Sequence, residues 1–150
     1  RAMSSQPSLE QMHELATSVR RTYNSLRHAT DQIHEEVGIS APKRTLLMDI
    51  FRLGPQTVPA LAASRYISRQ IIQTQVNELK AEGYLEPREN PAHKRSRLIT
   101  LTASGQKLVQ SMTDAENAYI RRLGWLPDSN DLNASIRLLD AIHEQLDDAT

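Results

Sequence analysis

SRQIIQTQVNELKAEGYLEPRENPAHKRSRLITLT, residues 68–102, reads as one device: a capped helix, a turn, and a two-stranded hairpin with a basic tip. Ser68 is a good N-cap, Ile72, Val76 and Leu79 recur at helical spacing, and Gly83 supplies a left-handed stop. At about 100° per residue, Gln70, Gln73, Thr74 and Asn77 gather away from that apolar stripe. Amides on an exposed face can bond bidentately to adenine N6 and N7, whereas the blander reading is a merely soluble surface. Beyond Gly83, residues 84–88 and 97–102 are rich in strand formers, and residues 90–96 form a charged turn. Pro87 has no N–H to give to a ladder, so its strand belongs at an edge, and a lone hairpin must pack on the preceding helix.

Upstream, Thr57 can cap a short helix whose Ala60, Leu61, Ala62 and Ala63 suit close packing, and Arg65, Tyr66 and Ile67 form the turn before Ser68. Before it, Ser40, Ala41 and Pro42 open a helix that carries Leu46, Leu47, Ile50 and Phe51 and stops at Gly54-Pro55. In such a pair the first helix supports while the second reads. Further upstream, Ser8 and Gln11 make a capping box. Leu9, Met12, Ala16, Val19, Tyr23, Leu26, Thr30, Ile33 and Val37 then step by three and four until Gly38. At 1.5 Å per residue that helix spans roughly 40 Å, long enough to project, and a projecting apolar stripe needs a partner. An intramolecular core helix is the alternative; a helix partly shared with a second copy is the favoured reading.

Downstream, Thr102 or Ser104 can cap a helix in which Leu108, Met112, Ala115, Tyr119 and Leu123 share a face, ending at Gly124. Trp125, Leu126 and Pro127 lead to Asp128, the cap of a last helix with Leu132, Ile136, Leu139, Ile142 and Leu146.

The length of 150 residues fits a single domain, and the absence of cysteine excludes disulfides and thiolate chemistry. Arg1 and Ala2 before Met3 read as an expression remnant. No apolar run approaches a membrane span, and a bacterial cytoplasm is the expected setting. Net charge is zero, but its distribution is uneven. Residues 64–107 hold eight basic against four acidic side chains, net +4, and residues 108–150 hold three against eight, net −5. The basic part coincides with the reader, as expected if that end meets phosphate.

No enzyme motif competes. His13-Glu14, His34-Glu35 and His143-Glu144 each begin like HExxH, but Thr17, Gly38 and Asp147 stand where the second histidine is needed. Gly105-Gln106-Lys107 lacks the glycine spacing of a phosphate loop, and no GxSxG elbow is present. No catalytic residue, metal or cofactor is expected.

The helix together with EGYLEPRENP, the basic tip and RLITLTASG resembles the winged helix-turn-helix of the MarR family of bacterial transcription regulators. The resemblance is close in the middle of the chain and extends to the flanking helices in layout only. It implies a mainly α fold with a small β-hairpin wing, a winged helix-turn-helix over residues 40–102, and a dimerisation bundle from residues 8–38 and 104–148. It also implies a homodimeric regulator of double-stranded DNA, a repressor answering to a small phenolic or amphipathic effector, acting at a pseudo-palindromic operator. Arg95 aligns with the arginine of the family's D-x-R wing motif, but His93 stands where the aspartate that anchors it is expected, which leaves the tip looser or steered by Glu86 or Glu89. Thr74 replaces a frequent basic residue, and Asn77-Glu78 an aspartate-arginine pair, so this reader is less electrostatic than usual.

The residues expected at DNA are Arg65, Ser68, Arg69, Gln70, Gln73, Thr74, Asn77, Arg88, Lys94, Arg95 and Arg97. Arg20, Tyr23, His28, Phe51 and Arg52 supply polar and aromatic groups at the junction where the family binds effectors. The competing class is a winged helix that docks a protein partner without reading DNA, which zero net charge leaves open.

Overall fold

Residues 5–149 are described in a computed structural model; the expected expression remnant lies outside them. Helix α1 (Leu9–Ile33) starts in the capping box, with the Gln11 N–H donating to Ser8 Oγ at 3.1 Å and the Ser8 N–H to Gln11 Oε1 at 2.9 Å. It ends sooner than the apolar stripe. His34 caps it, and Glu35–Val37 tighten into a 3-10 turn before Gly38 at φ 73°, so Val37 is not part of the α-helix. The stripe therefore runs past the point where the backbone turns; periodicity carries no information about that turn.

Helix α2 (Ala41–Leu53) carries Pro42 in its first turn, where the missing N–H costs nothing, and buries Leu46, Leu47 and Ile50. Phe51, expected with them, is exposed. Residues Gln56–Thr57 form a short strand, β1, and the Thr57 hydroxyl accepts the Ala60 N–H as the cap of α3 (Val58–Arg65). Tyr66 makes the turn in the left-handed region, φ 53°, and Ser68 caps α4 (Arg69–Ala81) by accepting from the Ile71 N–H.

The exit from α4 is a Schellman motif: Tyr84 N–H reaches Leu79 O at 2.9 Å and Gly83 N–H reaches Lys80 O at 3.0 Å, with Gly83 at φ 86°. The chain then forms β2 (Leu85–Arg88) and β3 (Leu98–Leu101), antiparallel with Leu85 opposite Leu101 and Arg88 opposite Leu98. The sheet has three strands, not the two expected, because β1 pairs with the other side of β3, Gln56 opposite Ile99. Pro87 lies on the edge strand as its chemistry requires.

Thr102 locks the wing to α5 (Ala103–Arg121): its hydroxyl donates to Gly83 O at 2.6 Å and accepts the Gly105 N–H at 3.0 Å. Gly105 is buried, and a Cβ there would stand 2.2 Å from Tyr84 O, so only glycine permits this approach. The helix buries Gly105, Val109 and Met112; of the face expected, Met112 is buried and Leu108 packs against the core partly buried, while Gly105 and Val109 extend it to one side. Ile72, Val76 and Leu79 of α4 complete the core with Leu61, Leu85, Ile99 and Leu101.

The described residues fall into two compact units, 5–118 and 119–149, with the boundary inside α5. The second unit holds α6 (Ser129–Ala149), capped by Asp128, whose Oδ1 accepts the Asn130 N–H at 2.8 Å. None of the described residues of α1 or α6 is buried, and Leu9, Leu26, Ile136 and Leu146 expose apolar side chains. Among the described residues, no helix is long and apolar enough to cross a membrane.

Candidate nucleic-acid interface

Helix α4 is seated by its apolar stripe and by a charge clamp on the side facing α2. Lys43 Nζ reaches Glu82 Oε1 at 2.6 Å and Glu78 Oε2 at 3.3 Å. The Glu82 carboxylate, with Glu78 behind it, holds the Lys43 ammonium above its usual 10.5 against the opposing effect of burial. The single Lys43 charge thereby offsets one of two carboxylates and holds both on the α2 side.

On the wing side α4 and the sheet enclose an open cleft of about 560 Å3. Its walls include Arg69, Gln70, Gln73, Asn77 and Lys80 from α4, Pro87 and Ile99 from the sheet, and Arg95, Ser96 and Arg97 from the wing loop. Four cations line it and no carboxylate does. Among the described residues, none of the four is engaged in an ion pair. Unpaired guanidinium and ammonium groups around a groove favour an anion, and arginine can grip phosphate with two parallel N–H bonds.

The amides of α4 are partly preset. Gln73 Nε2 donates to Asn77 Oδ1 at 2.9 Å, and the Thr74 hydroxyl donates to Gln70 O at 3.0 Å. Gln70, Gln73, Thr74 and Asn77 are all exposed. Ser68 is exposed too, but its oxygen is committed to the helix cap.

The wing loop is organised by a residue that the sequence reading left unassigned. Asn90 Nδ2 donates across the loop to Ser96 O at 2.9 Å, and Asn90 Oδ1 accepts the Ala92 N–H at 3.1 Å. Backbone bonds from His93 N–H to Asn90 O and from Ser96 N–H to His93 O close the turn. His93 is exposed and enters through its backbone, so Asn90 fixes the tip where an acid at position 93 is absent. Lys94 and Arg95 are exposed on this loop, and Arg88 is exposed on β2 outside the cleft.

Arg65 is placed differently from the other expected residues. Its side chain is only 14% exposed, with Nε 3.9 Å from Asp49 Oδ2 and Nη1 donating to Pro42 O at 3.4 Å, so it ties α3 to α2. Lys80, absent from the expected set, lines the cleft. A helical projection of α4 carried the signal, since Lys80 falls beside Gln73 and Arg69. Of the residues expected at an effector, Arg20, Tyr23, His28, Phe51 and Arg52 are all exposed, and Arg52 pairs with Asp49 at 2.9 Å. None of the five lines the cleft beside the wing.

Residues 38–96 match the MarR family profile, a span that covers the helix-turn-helix and the wing loop. An uncharacterised protein of Mycobacterium tuberculosis is 34% identical over 79 residues, 53% of this chain and 55% of the relative, so the chain spans about half the length of that curated relative. A Staphylococcus aureus MarR in complex with salicylate and kanamycin superimposes with a TM-score of 0.73 at 20% identity, covering 92% of this chain and 93% of that one. A mutant MarR from E. coli complexed with operator DNA gives 0.66 at 15% identity, covering 91% and 99%. The matched span holds the helix-turn-helix and the wing loop, and among the described residues the chain shares the fold of these MarR structures, six helices with a three-stranded sheet.

Proposed function

We propose that the protein is a homodimeric, sequence-specific regulator of transcription that binds double-stranded DNA through α4 and the wing. The observation that carries this reading is the cleft walled by Arg69, Lys80, Arg95 and Arg97 beside the amide face of α4. In this reading a phosphate strand occupies the cleft, the wing reaches the adjoining groove, and Gln70, Gln73, Thr74 and Asn77 meet base edges in the major groove. Arg88 and Lys94 add phosphate contacts at the rim, whereas Ser68 and Arg65 serve the reader by capping and bracing it. The E. coli relative complexed with operator DNA supports the partner class.

Residues 40–102 then form the DNA-binding region, and the helices of residues 8–38 and 104–148 form the dimerisation part. The exposed apolar side chains of α1 and α6 support a second copy as their partner, because such surface is costly to leave in water. Two-fold symmetry sets a pseudo-palindromic operator with half-site centres roughly 34 to 36 Å apart. The salicylate complex of the S. aureus relative supports an aromatic effector, for which Arg20, Tyr23, His28, Phe51 and Arg52 remain the candidates. In this reading such a ligand releases the protein from DNA, and the protein acts as a repressor.

Selection of bound sequences from a random duplex pool tests this reading. It predicts an enriched pseudo-palindrome with that spacing. Recovery of unenriched sequence by a folded dimer would favour the competing role, a winged helix that docks protein.

A further inference from the structure

Ile71 is an apolar side chain standing in the reading face of α4, and it is 51% exposed. On the helical projection the direction opposite Ile72, Val76 and Leu79 runs along Gln70 and Thr74, and Ile71 lies about 70° from it, on the side away from the wing. Its neighbours on the exposed surface include Thr74 and Glu78. The Thr74 hydroxyl donates its proton to Gln70 O and so has none to offer a base, and Glu78 is held by Lys43 at 3.3 Å. Gln73 and Asn77 bond each other on the opposite, cleft-lining side. One flank of the reading face is thus amide and cationic, and the other is a small apolar spot made by Ile71 and the Thr74 methyl.

In the major groove only one base edge presents apolar surface, the C5-methyl of thymine. We propose that Ile71 is a specificity-determining residue that packs on a thymine methyl in each half-site, so that this flank of the reader selects by shape and not by hydrogen bonds. The inference rests on the DNA-reading proposal and adds to it a base identity and a residue outside the amide set. Uracil differs from thymine by that methyl alone, which isolates the contact.

The test takes the duplex enriched by the wild-type protein and replaces its thymines one at a time, symmetrically, by deoxyuridine. At one position the wild type should lose about fourfold in affinity per half-site, the weight of one buried methyl group. Ile71→Ala should bind the thymine duplex less tightly and show no further loss at that position, while its losses at other substitutions match the wild type. A scan in which no thymine-to-uracil change matters, or in which wild type and Ile71→Ala respond alike, overturns the inference and leaves DNA reading intact. Failure to enrich any duplex would instead remove the reading on which it rests, and the inference with it.

Discussion

Replacing Gly105 by alanine adds one methyl group at the joint between wing and α5, and the geometry allows no easy escape. The new Cβ would stand 2.2 Å from Tyr84 O, 3.1 Å from Tyr84 C and 3.2 Å from Leu101 Cδ2. The nearest of these is a backbone atom that also accepts the Thr102 N–H at 3.1 Å, so it cannot swing aside as a side chain could. Relief requires α5 to part from the root of β2, which strains the Thr102 bonds to Gly83 and Gly105. Overpacking of this kind costs about 1 to 3 kcal/mol, and the backbone contact places it at the upper end. For a chain of this size that corresponds to a fall in Tm of about 6 to 12 °C. Urea or thermal unfolding followed by circular dichroism measures it, with Gly124→Ala as the control, since a Cβ at Gly124 meets nothing within 4 Å. Equal stability of the two variants would refute the reasoning that Gly105 is required by close approach.

Three further outcomes follow from individual contacts. Asn90→Ala removes both side-chain bonds that span the wing loop, each worth about 0.5 to 1.5 kcal/mol when fully formed. Hydrogen exchange at the 92 and 96 amides should rise while exchange in α2 stays unchanged; an unaltered loop would show that Asn90 does not organise the tip. Lys43→Met should destabilise the protein by about 1 kcal/mol at neutral pH, a modest figure because Glu78 and Glu82 are solvent-screened. Since folding raises the Lys43 pKa above 10.5, its contribution is complete below that pH and is lost as pH rises through the folded value. The gap between wild type and Lys43→Met in unfolding free energy should therefore stay constant to about pH 9 and close above about pH 10.5. Arg65→Ala should lower stability without changing the salt dependence of DNA binding, and Arg69→Ala should do the reverse, because the first side chain is turned into the domain and the second lines the cleft. Matching effects from the two arginines would contradict that assignment.

The elements of the fold were legible wherever a local signal determines a local structure. Ser8 with Gln11, Thr57, Ser68 and Asp128 all cap as their chemistry suggests, and Gly83 ends α4 in the left-handed region. What could not be read depends on partners distant in sequence. Strand β1 has two residues and exists through its pairing with β3, so no alternation announces it. The buried face of α5 is extended by Gly105 approaching Tyr84, which brings Val109 into the core beside the expected Met112. Within the candidate site, the amide face of α4 was visible from periodicity. The Lys43 clamp on Glu78 and Glu82, the turning of Arg65 toward Asp49, and the cross-loop bond of Asn90 all required the chain to be folded first. Charge counted by segment pointed to the basic region but not to the sorting within it, where Lys43 of α2 draws two acids to its side and four cations face one cleft.

The central claim is that these four cations hold DNA phosphates, and the salt dependence of duplex binding tests it most directly. Affinity for a generic duplex measured across salt concentrations should fall steeply on a logarithmic plot, with a slope of about −0.9 for each phosphate neutralised. Alanine at Arg69, Lys80, Arg95 or Arg97 should each make that slope shallower by about 0.9 per reader, and about twice that for a dimer engaging both readers. A wild-type protein that binds with a flat slope, or four variants that leave the slope unchanged, would contradict the account.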